Sequence, residues 1–469
     1  MTSIHILDDD SLLNIFNLYR PFLLGEDQHV NTRYRGGAQW LGERWWYRLA
    51  HVCQRWRSLI LASAPYLNLC LVCTYGTPVA DMLAHSPPLP LVIDYEATDI
   101  TSQDQEAIIL ALEQRDRVRR IRLHIPVLKL RKFITAIDGE YPILEYLILA
   151  DPPKDKSTVL ILPETLQTPY LRHLSIDCSI PILSQLLTTA VGLVTLNLSL
   201  HHPSTYFEPT VLLQWLSLMP HLENLLIFFS FPVPDRDVEG QLTSTPITTH
   251  VTFPNLRFFA LHAVSAYTEA VLSGITAFRV ENFIISYPKQ LTFSVPQLLQ
   301  FMGRTENFRF NRASFHFFSE QVHVMVNPPE TLDAFILNVD SWPLDCQVSS
   351  VVQIFNAPSQ IFSAVESLTL AHEVHSRSSE EHNEVDLTDW RKLIGSFSNV
   401  KILRINDGLV GELSRCLRFD DGEHPLELLP ELREIRYSGS GTANDALTSF
   451  IDARQNAGRP VTLIKSNPK

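Results

Sequence analysis

The chain has 469 residues, 45% hydrophobic and 19% charged, with a formal net charge of −13. That length exceeds what one compact core supports, so several domains or a repeat array are expected. The composition is that of a folded chain rather than a disordered one, and the negative balance argues against a nucleic-acid partner.

The first residues lack a basic segment followed by a long apolar core, so no secretory signal is expected. Residues 178–200 carry no Asp, Glu, Lys or Arg. Ser184, Gln185, Thr188, Thr189, Thr195, Asn197 and Ser199 interrupt them, so they read as a helix and a strand rather than a membrane span. Cys53, Cys70, Cys73, Cys178, Cys346 and Cys416 are dispersed. This pattern suits a reducing cytoplasmic or nuclear compartment better than a disulfide framework.

In chain order, Asp8–Phe16 reads as a short helix with an acidic start, its face formed by Leu12, Ile15, Phe16 and Tyr19. Residues 45–60 read as one amphipathic helix, with positions 45, 49, 52, 53, 56, 59 and 60 on the apolar side and Pro65 as the stop. Neither helix is long enough to be stable alone. Leu67, Leu69 and Leu71, then Leu89, Leu91 and Ile93, alternate as two short strands around a helix over Val79–His85. Ser102–Arg115 is expected to be helical, capped by Ser102, with Ile108, Ile109 and Leu112 buried.

The pattern Ile6-Leu7…Leu12-Leu13-x-Ile15-Phe16, followed by Leu49-x-x-Val52-Cys53-x-x-Trp56-Arg57-x-Leu59-Ile60, resembles an F-box in the form common in large fungal families. Pro65-Tyr66-Leu67 through Val79 is similar to the segment just past the box in those families. Asp8 stands where that family usually has Pro, and residues 21–44 insert a loop between the first two helices of the box. The resemblance implies a three-helix F-box over residues 1–64. Its partners would be a Skp-type adaptor and a cullin ligase, with Leu7, Leu12, Ile15, Phe16, Leu49, Val52, Cys53, Trp56 and Leu59 as the adaptor-binding side chains.

From residue 118 a unit of form apolar-x-x-apolar-x-apolar recurs twelve times, from Val118-x-x-Ile121-x-Leu123 to Leu432-x-x-Ile435-x-Tyr437. The units that begin at Val280 and Phe310 fit least well. The array resembles irregular leucine-rich repeats. Residues 65–469 are therefore expected to form an α/β solenoid, a curved parallel sheet with convex helices over Lys129–Ile137, Ile182–Thr189, Thr210–Leu218, Tyr267–Leu272, Val295–Met302 and Leu387–Ile394. Residues 442–469, with a helix over Asn444–Asn456 and a strand at Val461–Ile464, would cap it. Insertions at 232–250 and 372–389 break the rhythm.

Catalytic and metal motifs fail on spacing. His372-Glu373-Val374-His375 is one residue short of HExxH, and Cys70-Leu71-Val72-Cys73 lacks a second pair. Ser438–Asn444 lacks the third Gly of a dinucleotide loop and the Lys of a phosphate loop. No nucleophile elbow occurs. The run Arg115, Arg117, Arg119, Arg120, Arg122, Lys129, Arg131 and Lys132 reads as a solvated helix face. Arg33, Tyr34, Arg35, Trp40 and Arg44 read as a flexible loop beside Gly36-Gly37.

Alternation along the strands sends every second side chain to the concave side. This places His124, Asp177, Asn197, Leu226, Phe228, His262, Ile284, His316, Ile336, Asn338, Arg404 and Arg436 on one mixed surface, with Leu226, Phe228, Ile284 and Ile336 exposed. Such a surface suits an unknown protein target better than a polyanion. The expectation is a non-catalytic substrate-recognition subunit of an SCF-type ubiquitin ligase, with no cofactor or metal and no nucleic-acid or membrane partner. The alternative is a repeat scaffold whose box has lost the adaptor.

Overall fold

The computed structural model describes residues 7–20, 44–96, 99–151, 158–180, 184–231, 247–290, 292–305, 308, 310–327, 334–341, 343–355, 362–372, 387–417, 428–438 and 443–465. Ile6, most of the 21–44 insert, residues 182–183, the core of the 232–250 insertion, Leu332, Glu373–Asp386 and the turn 439–442 lie outside them. The protein is mixed α/β, with mostly parallel strands alternating with helices, and divides into two compact units.

The first unit comprises residues 1–206 with 218–224. It opens with α1 (Asp9–Tyr19), α2 (Trp45–Ala50) and α3 (Gln54–Ala62). The single helix expected over 45–60 is thus two. His51 and Val52 form a turn, Cys53 is extended, and its Sγ accepts the N–H of Trp56 at 3.5 Å as the cap of α3. Asp8 caps α1 in the same way, its carboxylate accepting the Ser11 N–H at 2.7 Å. This is how Asp fits where Pro was expected. That bond holds the Asp8 carboxyl below its ordinary range.

Six strands follow, β1 (Leu71–Cys73), β2 (Leu91–Glu96), β3 (Val118–His124), β4 (Tyr146–Ala150), β5 (His173–Asp177) and β6 (Thr195–Leu200), all parallel and in chain order. The crossovers carry α4 (Val79–His85), α5 (Ser102–Leu112), α6 (Val127–Ile134) and α7 (Ser184–Thr189). Register puts Cys73, Ile93, Ile121, Leu147, Leu174 and Leu196 in one row across the sheet. All six are buried. The middle apolar residue of each repeat therefore continues a core that no single coil closes. In α5 the cap is Thr101, not Ser102, and Ile109 lies at the surface, because the buried stripe runs through Ala107, Ile108, Ala111 and Leu112.

The second unit comprises residues 207–217 and 225–469. Its helices are α8 (Pro209–Ser217), α9 (Ser265–Gly274), α10 (Pro296–Arg304), α11 (Leu344–Phe355), α12 (Leu387–Gly395), α13 (Asp407–Cys416) and α14 (Ala443–Asn456). The strands are β7 (Asn224–Phe229), β8 (Val251–Phe253), β9 (Phe258–His262), β10 (Ile275–Ala277), β11 (Asn282–Tyr287), β12 (Arg312–Phe317), β13 (Gln321–Asn327), β14 (Ala334–Asp340), β15 (Ser367–His372), β16 (Ile402–Asn406), β17 (Glu434–Ser438) and β18 (Thr462–Lys465). β8 and β10 pair with each other. Gly274 ends α9 where a Cβ would meet the Leu213 side chain at 2.5 Å and the Thr249 carbonyl at 2.9 Å, so no larger residue fits.

The main sheet runs β7-β9-β11-β14-β13-β12-β15-β16-β17-β18, which corrects the expectation of a wholly parallel sheet. β13 is antiparallel to both neighbours, and β12 lies on the far side of it from β14. The cause is loop length. Only Phe318, Ser319 and Glu320 separate β12 from β13, with the Phe318 N–H bonded to the Gln321 carbonyl at 2.8 Å. A connection that short permits a hairpin but no parallel crossover. The unit at Phe310 fits the repeat poorly because its strand, β12, opens this hairpin, whereas the Val280 unit forms β11, parallel to both β9 and β14.

Despite the reversal, Phe259, Phe283, Phe335, Val326, Ala313, Leu368, Leu403, Ile435 and Leu463 fall in one continuous row. Helices cover this side: Phe283 packs on Phe301 of α10, Phe315 on Phe355 of α11, and Phe317 on Trp390 of α12. The coils also cap one another. Glu269 of α9 accepts the Gln297 and Leu298 N–H groups at the start of α10, and Asn406 makes two bonds to the His372 backbone.

Candidate docking surfaces

The nine side chains expected to grip an adaptor split into two groups. Leu12 and Phe16 are fully buried, and Phe16 meets Trp56 edge to face at 4.8 Å. Leu7, Leu49, Cys53, Trp56 and Leu59 are half-buried. The Phe16–Trp56 contact joins α1 to α3. Ile15 and Val52 are exposed, at 42% and 58%. Spacing alone does not separate them, since Ile15 is i+3 from Leu12 and Tyr19 is i+3 from Phe16; burial does, Leu12 and Phe16 being covered and the outer edge of the same face, from Ile15, left in water. Leu18, 85% exposed, and Tyr19, 52% exposed, complete that outer stripe. Leu18 went unread because the box pattern draws attention to the inner residues.

The helices are tied down by polar bonds. Arg55 reaches the Asp9 carboxylate and the Leu7 carbonyl, both at 2.7 Å. Trp46 donates its indole N–H to the Cys70 carbonyl, and Arg44, the last residue of the insert, donates to the Val72 carbonyl and the Thr77 hydroxyl. Cys70 and Val72 join Val92 and Tyr146 in a small apolar cluster of their own. Cys73 is buried too, and burial holds its thiol up at about 12, away from the thiolate form that reactive cysteines use.

The open side of the first sheet is charged and internally paired. Arg122 bonds Asp94 at 3.0 Å and Glu96 at 2.6 Å, and His124 approaches Glu96 at 3.4 Å. Burial raises the Asp94 carboxyl against the lowering pull of Arg122. Asp177 meets His201 at 2.8 Å. Arg120, buried on β3, lies over the Tyr146 ring at 4.6 Å, and Tyr146 stacks on His173 at 4.2 Å. The basic run is therefore a solvated helix face only in part: Lys129, Arg131 and Lys132 lie on α6, the last two exposed, and the arginines before them do not. Arg115 and Arg117 lie just ahead of β3, Arg119, Arg120 and Arg122 sit on it, and Arg119 pairs with Glu145 at 2.9 Å. Asn197, of the sequence Asn197-Leu198-Ser199, lies half-buried on β6.

The open side of the second unit differs. One row reads His262, Ser286, Asn338, His323, His316, Ala371, and the next Ala260, Ile284, Ile336, Met325, Ser314, Thr369, Arg404, Arg436. Charge enters only at the last two positions. Leu226, Phe228, Ile284 and Ile336 are half-buried rather than exposed, because side chains one strand apart shield each other. Phe228, for example, stacks on His262 at 4.2 Å. His323 and Met325 were missed, although Val322, Val324 and Val326 alternate with them in the sequence.

Among the described residues, no three His, Cys, Asp or Glu side chains gather as a metal centre, and no helix is long and apolar enough to cross a membrane. No protein-family model matches the chain, and no curated protein matches it.

Proposed function

We propose that the chain is the target-recognition subunit of an SCF-type ubiquitin ligase, holding a Skp-type adaptor through its N-terminal helices and a protein target through the open sides of its strands. The observation that carries this reading is the outer stripe Ile15, Leu18 and Tyr19, apolar and uncovered on α1 while the inner stripe is packed. A helix that leaves large apolar side chains in water on one side, with its own core complete on the other, suits insertion into a partner's groove. The mixed, largely uncharged strand surface of the second unit suits protein recognition. The chain then positions a target and makes or breaks no bond itself.

The test is co-purification with a Skp-type adaptor. The full chain is expected to retain the adaptor, and the Leu18→Asp variant, folded by circular dichroism, is expected to lose it. Absence of adaptor binding by the folded full chain would overturn the reading in favour of a repeat scaffold.

A further inference from the structure

The hairpin that breaks the repeat carries a pair of histidines placed by register rather than by chance contact. His316 on β12 and His323 on β13 are direct cross-strand partners. Their ring centres are 6.4 Å apart, with the planes tilted by 39°. Two imidazoles bound to one ion at about 2.1 Å put their ring centres roughly 5–6.5 Å apart, depending on the angle at the metal. The pair lies at the wide end of that range, so closing to a tetrahedral angle draws the ring centres together by about 1 Å through side-chain rotation.

Two further features favour ligation. The three-residue turn fixes the register, and β12 and β13 are flanked by β15 and β14, so the two backbones are held on both sides. The surrounding positions on that side, Ser314, Met325, Asn338 and Ala371, bring no competing cation.

We propose that His316 and His323 form a two-imidazole site for a borderline divalent transition ion, its remaining positions open to water or to a donor from a bound partner. Imidazole ligands select zinc, nickel and copper over magnesium and calcium, with copper(II) strongest. The site is independent of the ligase reading.

The test uses the full chain titrated with Cu²⁺, Ni²⁺ and Mg²⁺, followed by calorimetry and, for Cu²⁺, electron paramagnetic resonance. One Cu²⁺ per chain with two coupled nitrogens, weaker Ni²⁺ and no Mg²⁺ is the expected result. Either His316→Gln or His323→Gln should weaken Cu²⁺ at least tenfold, while His262→Gln should leave it unchanged. Metal-free melting of each variant shows whether it is folded. If one does not fold, photo-oxidation of histidine in the native chain, mapped with and without Cu²⁺, gives the same answer: only His316 and His323 should be protected. Unchanged Cu²⁺ affinity in both folded variants, a one-nitrogen spectrum, or protection elsewhere overturns the proposal.

Discussion

Phe16 on α1 and Trp56 on α3 meet edge to face with ring centres 4.8 Å apart, and this contact joins the first and third helices of the chain. Trp56 is therefore a packing residue first. Trp56→Ala should loosen α1 from α3 at a cost of about 2 kcal/mol, because the ring is only half-buried. Adaptor binding would be lost through unfolding of the helices. Leu18→Asp should lose binding with the helices intact. Denaturation of both variants beside the pull-down separates the two effects. Equal helix loss in both would remove the distinction drawn between the inner and outer stripes.

Cys53 fills a position where sulfur is a poor acceptor. Its Sγ receives the Trp56 N–H at 3.5 Å, a long bond, at the start of α3. Ser at an N-cap accepts more strongly, so Cys53→Ser should stabilise the helical segment by about 0.5–1 kcal/mol. A rise in melting temperature checks it, and a fall would show that sulfur packing outweighs the cap.

Arg454 on α14 is 0% exposed and donates to the carbonyls of Leu429, Pro430 and Leu432 at 3.1–3.2 Å. It ties α14 to the segment that leads into β17. Arg454→Met keeps most of the volume and removes the donor from the Leu432 carbonyl, while Leu429 keeps the Leu432 N–H and Pro430 keeps Arg459, which should cost about 2 kcal/mol. Limited proteolysis should then cut first near the C-terminus. A cleavage pattern like that of the wild type would contradict the clamp.

Glu269 caps α10 through the Gln297 and Leu298 N–H groups, yet burial outweighs those bonds and pushes its carboxyl up to about 7. The folded pKa is raised above the ordinary 4.5. The proton therefore stabilises the fold fully below pH 4.5, and that contribution is lost as pH rises towards 7. Discounted for partial solvent access, the loss is about 2 kcal/mol. Glu269→Gln should flatten stability between pH 4.5 and 7 relative to the wild type, read from urea midpoints at each pH. An unchanged pH slope would contradict it.

Much of the fold was legible because the core repeats. Of the twelve apolar triplets, eleven have all three anchors among the described residues, and each carries a strand, as does the triplet whose first anchor is Leu332. What hid α11 and α13 was composition: the first is rich in Val, the second holds Gly408 and Gly411, and both are held helical by burial rather than propensity. The break at Cys53 was hidden because apolar spacing carries through a two-residue turn. The candidate surfaces were legible only as alternating positions. The pairing of Arg122 with Asp94 and Glu96 depends on residues 26 and 28 apart in sequence, which no local pattern connects.

By itself, the sequence determined which side chains enter the core, since alternation and spacing are local and water expels apolar groups wherever they stand. Which strand lies beside which was settled only in three dimensions. A three-residue turn forced β13 to run backwards, moved β12 past it, and so brought His316 against His323. That outcome depends on loop closure and ladder pairing across the sheet, which act between segments and leave no periodic trace along the chain.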